Sequence, residues 1–286
     1  MTTLNTTHAY DLAGHRFSIE PVCSERFSVP ERWQPFRSTH NPDFHLRVTP
    51  YEDALPPAGK LKFETVRWRL YTSDEENLFV IDVLKDKQSH MVLRMRPGTS
   101  NVQIQMQGSL TGVDYPLSYP TDELIFINRL PQHESVVVHA CGVLYRGQVL
   151  LFVGESGAGK TTTARLWQND PEARVLCDDR IILKKTPDGF WAYGTPWHGD
   201  LPAVSNLGAP LSHIYFIHHH PKNILSPISQ VRATAMLLTQ SFSPLWDKAL
   251  MENTARILHN VIASVPVSSF GFSPDQSAVK FIQCQV

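Results

Sequence analysis

The chain has 286 residues, 42% of them apolar and 19% charged, enough for one large domain or two modest ones with a real core. Lysine plus arginine (26) balance aspartate plus glutamate (27), so the formal charge is −1 and no overall basic excess argues for a nucleic-acid partner. The four cysteines, Cys23, Cys141, Cys177 and Cys284, form no CxxC pair, which points to reduced thiols in a cytoplasmic protein and away from a disulfide framework or a zinc site.

The opening "MTTLNTTHAYDLAGHRF" has no basic stretch followed by an apolar one, so no signal peptide is expected. No run nears the about 18 apolar residues of a membrane span. Residues 1–128 then read as a β-rich region. "FHLRVTP", "LKFETVRWRLYTS", "NLFVIDVL", "HMVLRMRPG" and "NVQIQMQG" are short, β-branched or alternating, and are broken by Pro, Gly or charge clusters. "TPYEDALPPAGK" reads as a polar, Pro-rich loop, and "SDEENL" as a solvated turn. "DELIFINRLP" fits a helix or a strand, and periodicity does not decide between them.

Residues 129–286 have a different character. "SVVVHACGVLYRGQVLLFVG" reads as strand, glycine turn and strand, followed by a helix from Lys160 to about Gln168. "RVLCDD" is a short strand, "IILKKTPDGFWAYG" a hairpin on a DG turn, and "HIYFIHHH" a strand. "SQVRATAMLLTQS" and "WDKALMENTARILHNVIASV" carry apolar residues at helical spacing. "VPVSSFGFSP" and "SAVKFIQCQV" read as closing strands. The order strand, loop, helix, strand argues for a mixed-sheet α/β core.

Gly154-Glu155-Ser156-Gly157-Ala158-Gly159-Lys160-Thr161 satisfies GxxxxGK[ST], followed by Thr162 at the start of the helix. Glycines let the main chain curl until its N–H groups face phosphate oxygens, and the helix N-terminus adds its dipole. In such a loop Lys160 reaches the β- and γ-phosphates and the Thr161 hydroxyl meets Mg²⁺. An apolar strand leads in and a helix leads out, so a nucleotide, with Mg²⁺, is the expected ligand.

"RVLC" ends in Asp178 and Asp179. In this unit the loop and the end of the next parallel strand share one sheet edge, which brings both acids near the metal of a bound nucleotide. The expected division gives the metal to Thr161 and Asp179, and makes Asp178 the base that takes a proton from an acceptor hydroxyl. An ordinary turn pair is the competing reading.

The acids follow the loop after a single helix, whereas in many ATPases the metal-binding acid lies far downstream. This arrangement, with "HACGVLYRGQ" ahead of it, resembles the HPr kinase/phosphorylase family and its phosphoenolpyruvate-carboxykinase-like relatives over about residues 135–185. His139 matches the histidine of the family's His-Gly strand, Lys160 and Thr161 its loop lysine and hydroxyl, and Asp178 and Asp179 its paired acids. The resemblance implies a P-loop kinase core that uses ATP and Mg²⁺ to phosphorylate serine. "GTPWHG" and "SFSPLWD" are similar to segments of HPr-kinase-related bacterial proteins, some linked to peptide-modification gene clusters. The family's Glu-x-Arg-Gly stretch after the acids is absent, and "AYGTPWHGD" stands there, so HPr as acceptor, phosphorolysis and a hexamer are not implied.

The expectation is therefore a phosphotransferase acting on a hydroxyl, Ser of a peptide or small protein, with no membrane partner and with homo-oligomer formation open. The alternatives are a nucleotide-hydrolysing switch and a kinase of a small metabolite. No NKxD guanine signature occurs. His139 balances charge near the γ-phosphate or is a hydrogen-bonded core residue. Arg180 stabilises transferred charge or simply pairs with the acids. His198 and Asp200 of "GTPWHGD" line the acceptor site, or the segment is a turn held by Trp197. Three consecutive histidines, His218 to His220, alternate faces on a strand and cannot converge on one metal.

Overall fold

A computed structural model describes residues 7–21, 29–51, 59–82, 90–96, 98–107 and 115–286. Cys23, the first six residues, the centre of the Pro-rich loop (52–58) and the ends of three expected strands (Val83 and Leu84, Pro97, Gly108) lie outside the described residues. The chain divides into two compact units, Met1–Ile125 and Phe126–Val286.

The first unit is built on eight strands: β1 (His8–Leu12), β2 (His15–Pro21), β3 (Phe44–Tyr51), β4 (Lys60–Glu64), β5 (Trp68–Thr72), β6 (Asn77–Asp82), β7 (His90–Met95) and β8 (Asn101–Gln107). They form one mixed sheet in the order β1-β2-β3-β8-β7-β6-β5-β4. β3 runs parallel to both β2 and β8, and the other pairs are antiparallel. Period-two alternation drives it: Val102, Ile104 and Met106 are buried while Asn101 and Gln103 face out. Tyr10, Phe17, Trp33, Phe36 and Phe44 pack as an aromatic cluster at one end. The β1–β2 hairpin was not read from sequence. Of the expected solvated turn, Ser73 to Glu75 are exposed, but Glu76 is buried and paired with Arg94.

Helix α1 (Thr121–Arg129) resolves the ambiguous "DELIFINRLP". Asp122 and Glu123 in its first turn and Arg129 in its last complement the helix dipole. There follow β9 (Ser135–Tyr145), β10 (Gln148–Val153), α2 (Lys160–Trp167), β11 (Ala173–Cys177), β12 (Arg180–Thr186), β13 (Gly189–Tyr193) and β14 (Gly208–His219). β15 (Ile224–Ser226), α3 (Gln230–Thr239), α4 (Lys248–Ser264), β16 (Val267–Phe272) and α5 (Gln276–Gln283) complete the chain. The last is a correction, since "SAVKFIQCQV" was read as a strand. Asp275 caps the helix by accepting from the Ser277 N–H, and Ala278, Val279 and Ile282 are buried at helical spacing.

β9 and β14 are long enough to serve two sheets. The first part of β9 pairs with β12 and the rest with β10 on one flank and β11 on the other. β14 pairs in turn with β13, β10 and β16. The pairings β9–β10–β14–β13–β12–β9 close a ring, from which β11, β16 and β15 extend. β10 is buried on both sides. Val149, Leu151 and Val153 enter the core packed by α3 and α4, and Leu150 and Phe152 enter the core packed by α2 and α5.

β10 and β11 both run antiparallel to β9, so they point the same way with β9 between them. Their C-terminal residues fall at Ala140 and Gly142 of β9. That single fact brings the glycine-rich loop and the acid pair to one edge of the sheet.

Candidate functional site

The loop from Gly154 to Gly159 joins β10 to α2. Gly159 has φ 105°, and a Cβ there would sit 2.6 Å from Cζ of Phe272, so both backbone and space demand glycine. The Ala158 N–H donates to the Glu155 carbonyl, and the Thr163 N–H to the Gly159 carbonyl, which starts α2. Lys160, only 7% exposed, folds back so that Nζ donates to the carbonyls of Gly154 (2.7 Å) and Glu155 (3.0 Å). Burial lowers its pKa below the usual lysine range, against the opposing pull of Asp179 and Asp178.

Asp178 is 2% exposed. Its Oδ1 accepts from the Gly199 N–H (2.7 Å), and its Oδ2 from the Leu201 N–H (3.1 Å) and the Thr161 hydroxyl (3.1 Å). A β-bulge prepares this placement. Val175 and Cys177 of β11 face consecutive residues of β9, and the extra residue puts Leu176 and Cys177 into the same core. The segment after β13 is drawn in by three contacts: Thr195 Oγ1 donates to the Arg180 carbonyl (2.7 Å), Cys177 Sγ to the Trp197 carbonyl (3.2 Å), and Trp197 packs edge-on against Phe126.

Gly194 makes that approach possible, because a Cβ there would lie 2.1 Å from the Ser205 carbonyl oxygen and 2.9 Å from that of Leu176. Gly194→Ala should therefore lower stability by roughly 1–3 kcal/mol, the usual range for overpacking. Urea unfolding followed by tryptophan fluorescence checks it, and an unchanged midpoint would show that the segment yields.

Asp179 turns elsewhere. Its Oδ1 lies 3.1 Å from His139 Nε2 and its Oδ2 3.4 Å from Arg180 Nε. Burial alone would raise its pKa; the His139 hydrogen bond and the charges of Arg180, His139 and Lys160 outweigh it and hold the carboxyl below its usual range. The Arg180 guanidinium lies 4.6 Å over the Phe242 ring, and His139 also contacts that ring. Phe242 is held there because residues 240–242 hydrogen-bond β9, with His139 N–H to the Gln240 carbonyl and Phe242 N–H to the Val137 carbonyl.

These groups surround a cavity of about 420 Å³. Of the residues singled out from the sequence, Ser156, Gly157, Gly159, Lys160, Thr161, Thr162, His139, Asp178, Asp179 and Asp200 line it. Gly154, Glu155 and Ala158 shape the loop without lining the cavity. Arg180 stands behind Asp179, and His198 turns its Nδ1 to the Gly199 carbonyl (2.9 Å), so neither reaches the cavity wall. Thr161 hydrogen-bonds Asp178, while Asp179, which the sequence reading gave to the metal with Thr161, pairs with His139 and Arg180.

Arg165, Gly199 and His219 line the cavity and were missed. Arg165 follows Thr161 by one helical turn, a signal the sequence did carry. His219 was set aside with its neighbours. His218 and His220 contact each other, while His219 reaches the loop instead. The buried thiols of Cys141 and Cys177 have pKa values raised by burial, which leaves them unsuited as nucleophiles.

The residues suit a phosphorylated ligand and a hard cation. Lys160 supplies positive charge at the cavity wall, and Thr161 and Asp178 offer adjacent oxygens of the kind Mg²⁺ prefers. Among the described residues no group of three or more His, Cys, Asp or Glu side chains is placed to hold a metal. No helix among them is long and apolar enough to cross a membrane. No family model matches the chain, and no curated protein matches it significantly.

Proposed function

We propose that the second unit is a P-loop kinase core of the HPr-kinase-like kind, transferring the γ-phosphoryl group of ATP to a hydroxyl, with Ser of a peptide or small protein as the acceptor. The observation that carries this reading is the 3.1 Å hydrogen bond between Thr161 and Asp178, which joins the loop motif to the acid pair.

In this reading the loop amides and Lys160 bind the phosphates, Lys160 exchanging the Gly154 and Glu155 carbonyls for phosphate oxygens. Mg²⁺, if bound there, would supply positive charge against the negative charge that develops during transfer. Thr161 and Asp178 are the residues that would hold it. Two main-chain N–H groups keep the Asp178 carboxylate oriented towards Thr161.

Asp179 is the better placed of the two acids to act as base. It is the more accessible acid, and His139 and Arg180 orient it from behind while the cavity lies in front. The roles are thus exchanged relative to the expectation from sequence. The absence of the family's Glu-x-Arg-Gly stretch keeps HPr itself from being the proposed acceptor.

With γ-labelled ATP, Mg²⁺ and a cell lysate, label should pass to a peptide or protein serine, identified by mass spectrometry. Free phosphate with no labelled acceptor would replace transfer by hydrolysis.

A further inference from the structure

His219 closes β14 and sits in register with Phe272 at the end of β16. The two rings stack, with centroids 5.9 Å apart and planes at 26°. Together they form a platform under the glycine-rich loop. Phe272 occupies the space that a Cβ on Gly159 would need, and His219 Nε2 lies 2.9 Å from the Gly157 carbonyl oxygen. A carbonyl can only accept, so Nε2 carries the proton and donates. Gly157 has φ 82° and lies at the bend, and the next N–H, of Ala158, is already held by the Glu155 carbonyl at 3.1 Å. The Gly157–Ala158 peptide plane is thus gripped at both polar ends, once from within the loop and once by β14.

We infer that His219 is a positioning residue for the phosphate loop, fixing that peptide plane and covering a carbonyl whose negative end would otherwise stand bare beside an incoming polyphosphate. The need follows from electrostatics: a loop that binds anions through N–H groups must turn its carbonyls away or neutralise them. The inference rests on the nucleotide reading above and adds to it a residue outside the motif, from a strand far along the chain.

The test is calorimetric titration of Mg–ADP into the full chain and into His219→Phe and His219→Gln. Phenylalanine keeps the stack on Phe272 and removes the donor, and glutamine restores a donor. His219→Phe should bind about three- to tenfold more weakly, the range for one lost hydrogen bond. His219→Gln should recover affinity to within about twofold. Equal affinity of His219→Phe and the unaltered protein would overturn the inference, as would equal weakening of both variants. Should His219→Phe also lower the ligand-free melting point, nitrogen-15 spectra of the unaltered protein decide. The inference requires the Nε2–H form of His219, and the Nδ1–H form would overturn it. No heat from the unaltered protein would overturn the nucleotide reading, and this inference with it.

Discussion

Lys160→Ala should abolish measurable Mg–ATP binding and cut turnover by roughly 10²–10³-fold, as expected when a preorganised charge is removed from a proposed phosphate site. The fold should survive. The Lys160 ammonium is largely desolvated, which costs stability, and it recovers part of that cost by donating to the carbonyls of Gly154 and Glu155. Alanine removes both terms, and water from the cavity can reach the freed carbonyls. Calorimetry with Mg–ATP and thermal melting separate the two effects. Normal turnover in this variant would remove the loop from the mechanism altogether, whatever its sequence.

The two acids should respond differently to the same change. Asp179→Asn should keep Mg–ADP affinity within a few-fold yet reduce transfer by roughly 10²–10⁴-fold, the usual cost of a lost base. Asparagine still fits beside His139 and Arg180, so the wall of the cavity remains. Asp178→Asn should instead lower stability by about 1–3 kcal/mol. Its new NH₂ group must face either the Gly199 N–H or the donors on the other oxygen, leaving a donor unsatisfied in a buried place. It should also weaken Mg²⁺-dependent binding. Single-turnover kinetics and urea unfolding on both variants measure the contrast. If Asp178→Asn stays fully stable and binds nucleotide but fails to transfer, the base is Asp178.

What could be read from the residues alone depended on distance along the chain. Gly154 to Thr161 announce themselves because loop, strand and helix are contiguous, and Asp178 and Asp179 are only one helix away. The partners of Asp178 could not be read, because the amides of Gly199 and Leu201 arrive only after the β12–β13 hairpin and its Gly194 contact. The bulge at Leu176, which aims the acid, leaves no mark in the local alternation. "SAVKFIQCQV" failed for a related reason. Its apolar positions suit either period over so few residues, and only the Asp275 cap and the neighbouring α2 select a helix. His219 was hidden by its two neighbours, since a run of three identical residues conceals which one points to the loop. The β-rich character of the first unit was legible because Val102, Ile104 and Met106 repeat cleanly.

The closed circuit of five strands has a consequence for how the protein meets its ligand. β10, which delivers the loop, and β9, which carries His139, are neighbours in a circuit that returns on itself through β14, β13 and β12. Shifting either by one residue would break ladders on every side at once. The spacing between cradle and acids is therefore settled when the chain folds, and on the proposed reading an arriving nucleotide would meet a finished frame in which Lys160 exchanges its two carbonyl partners.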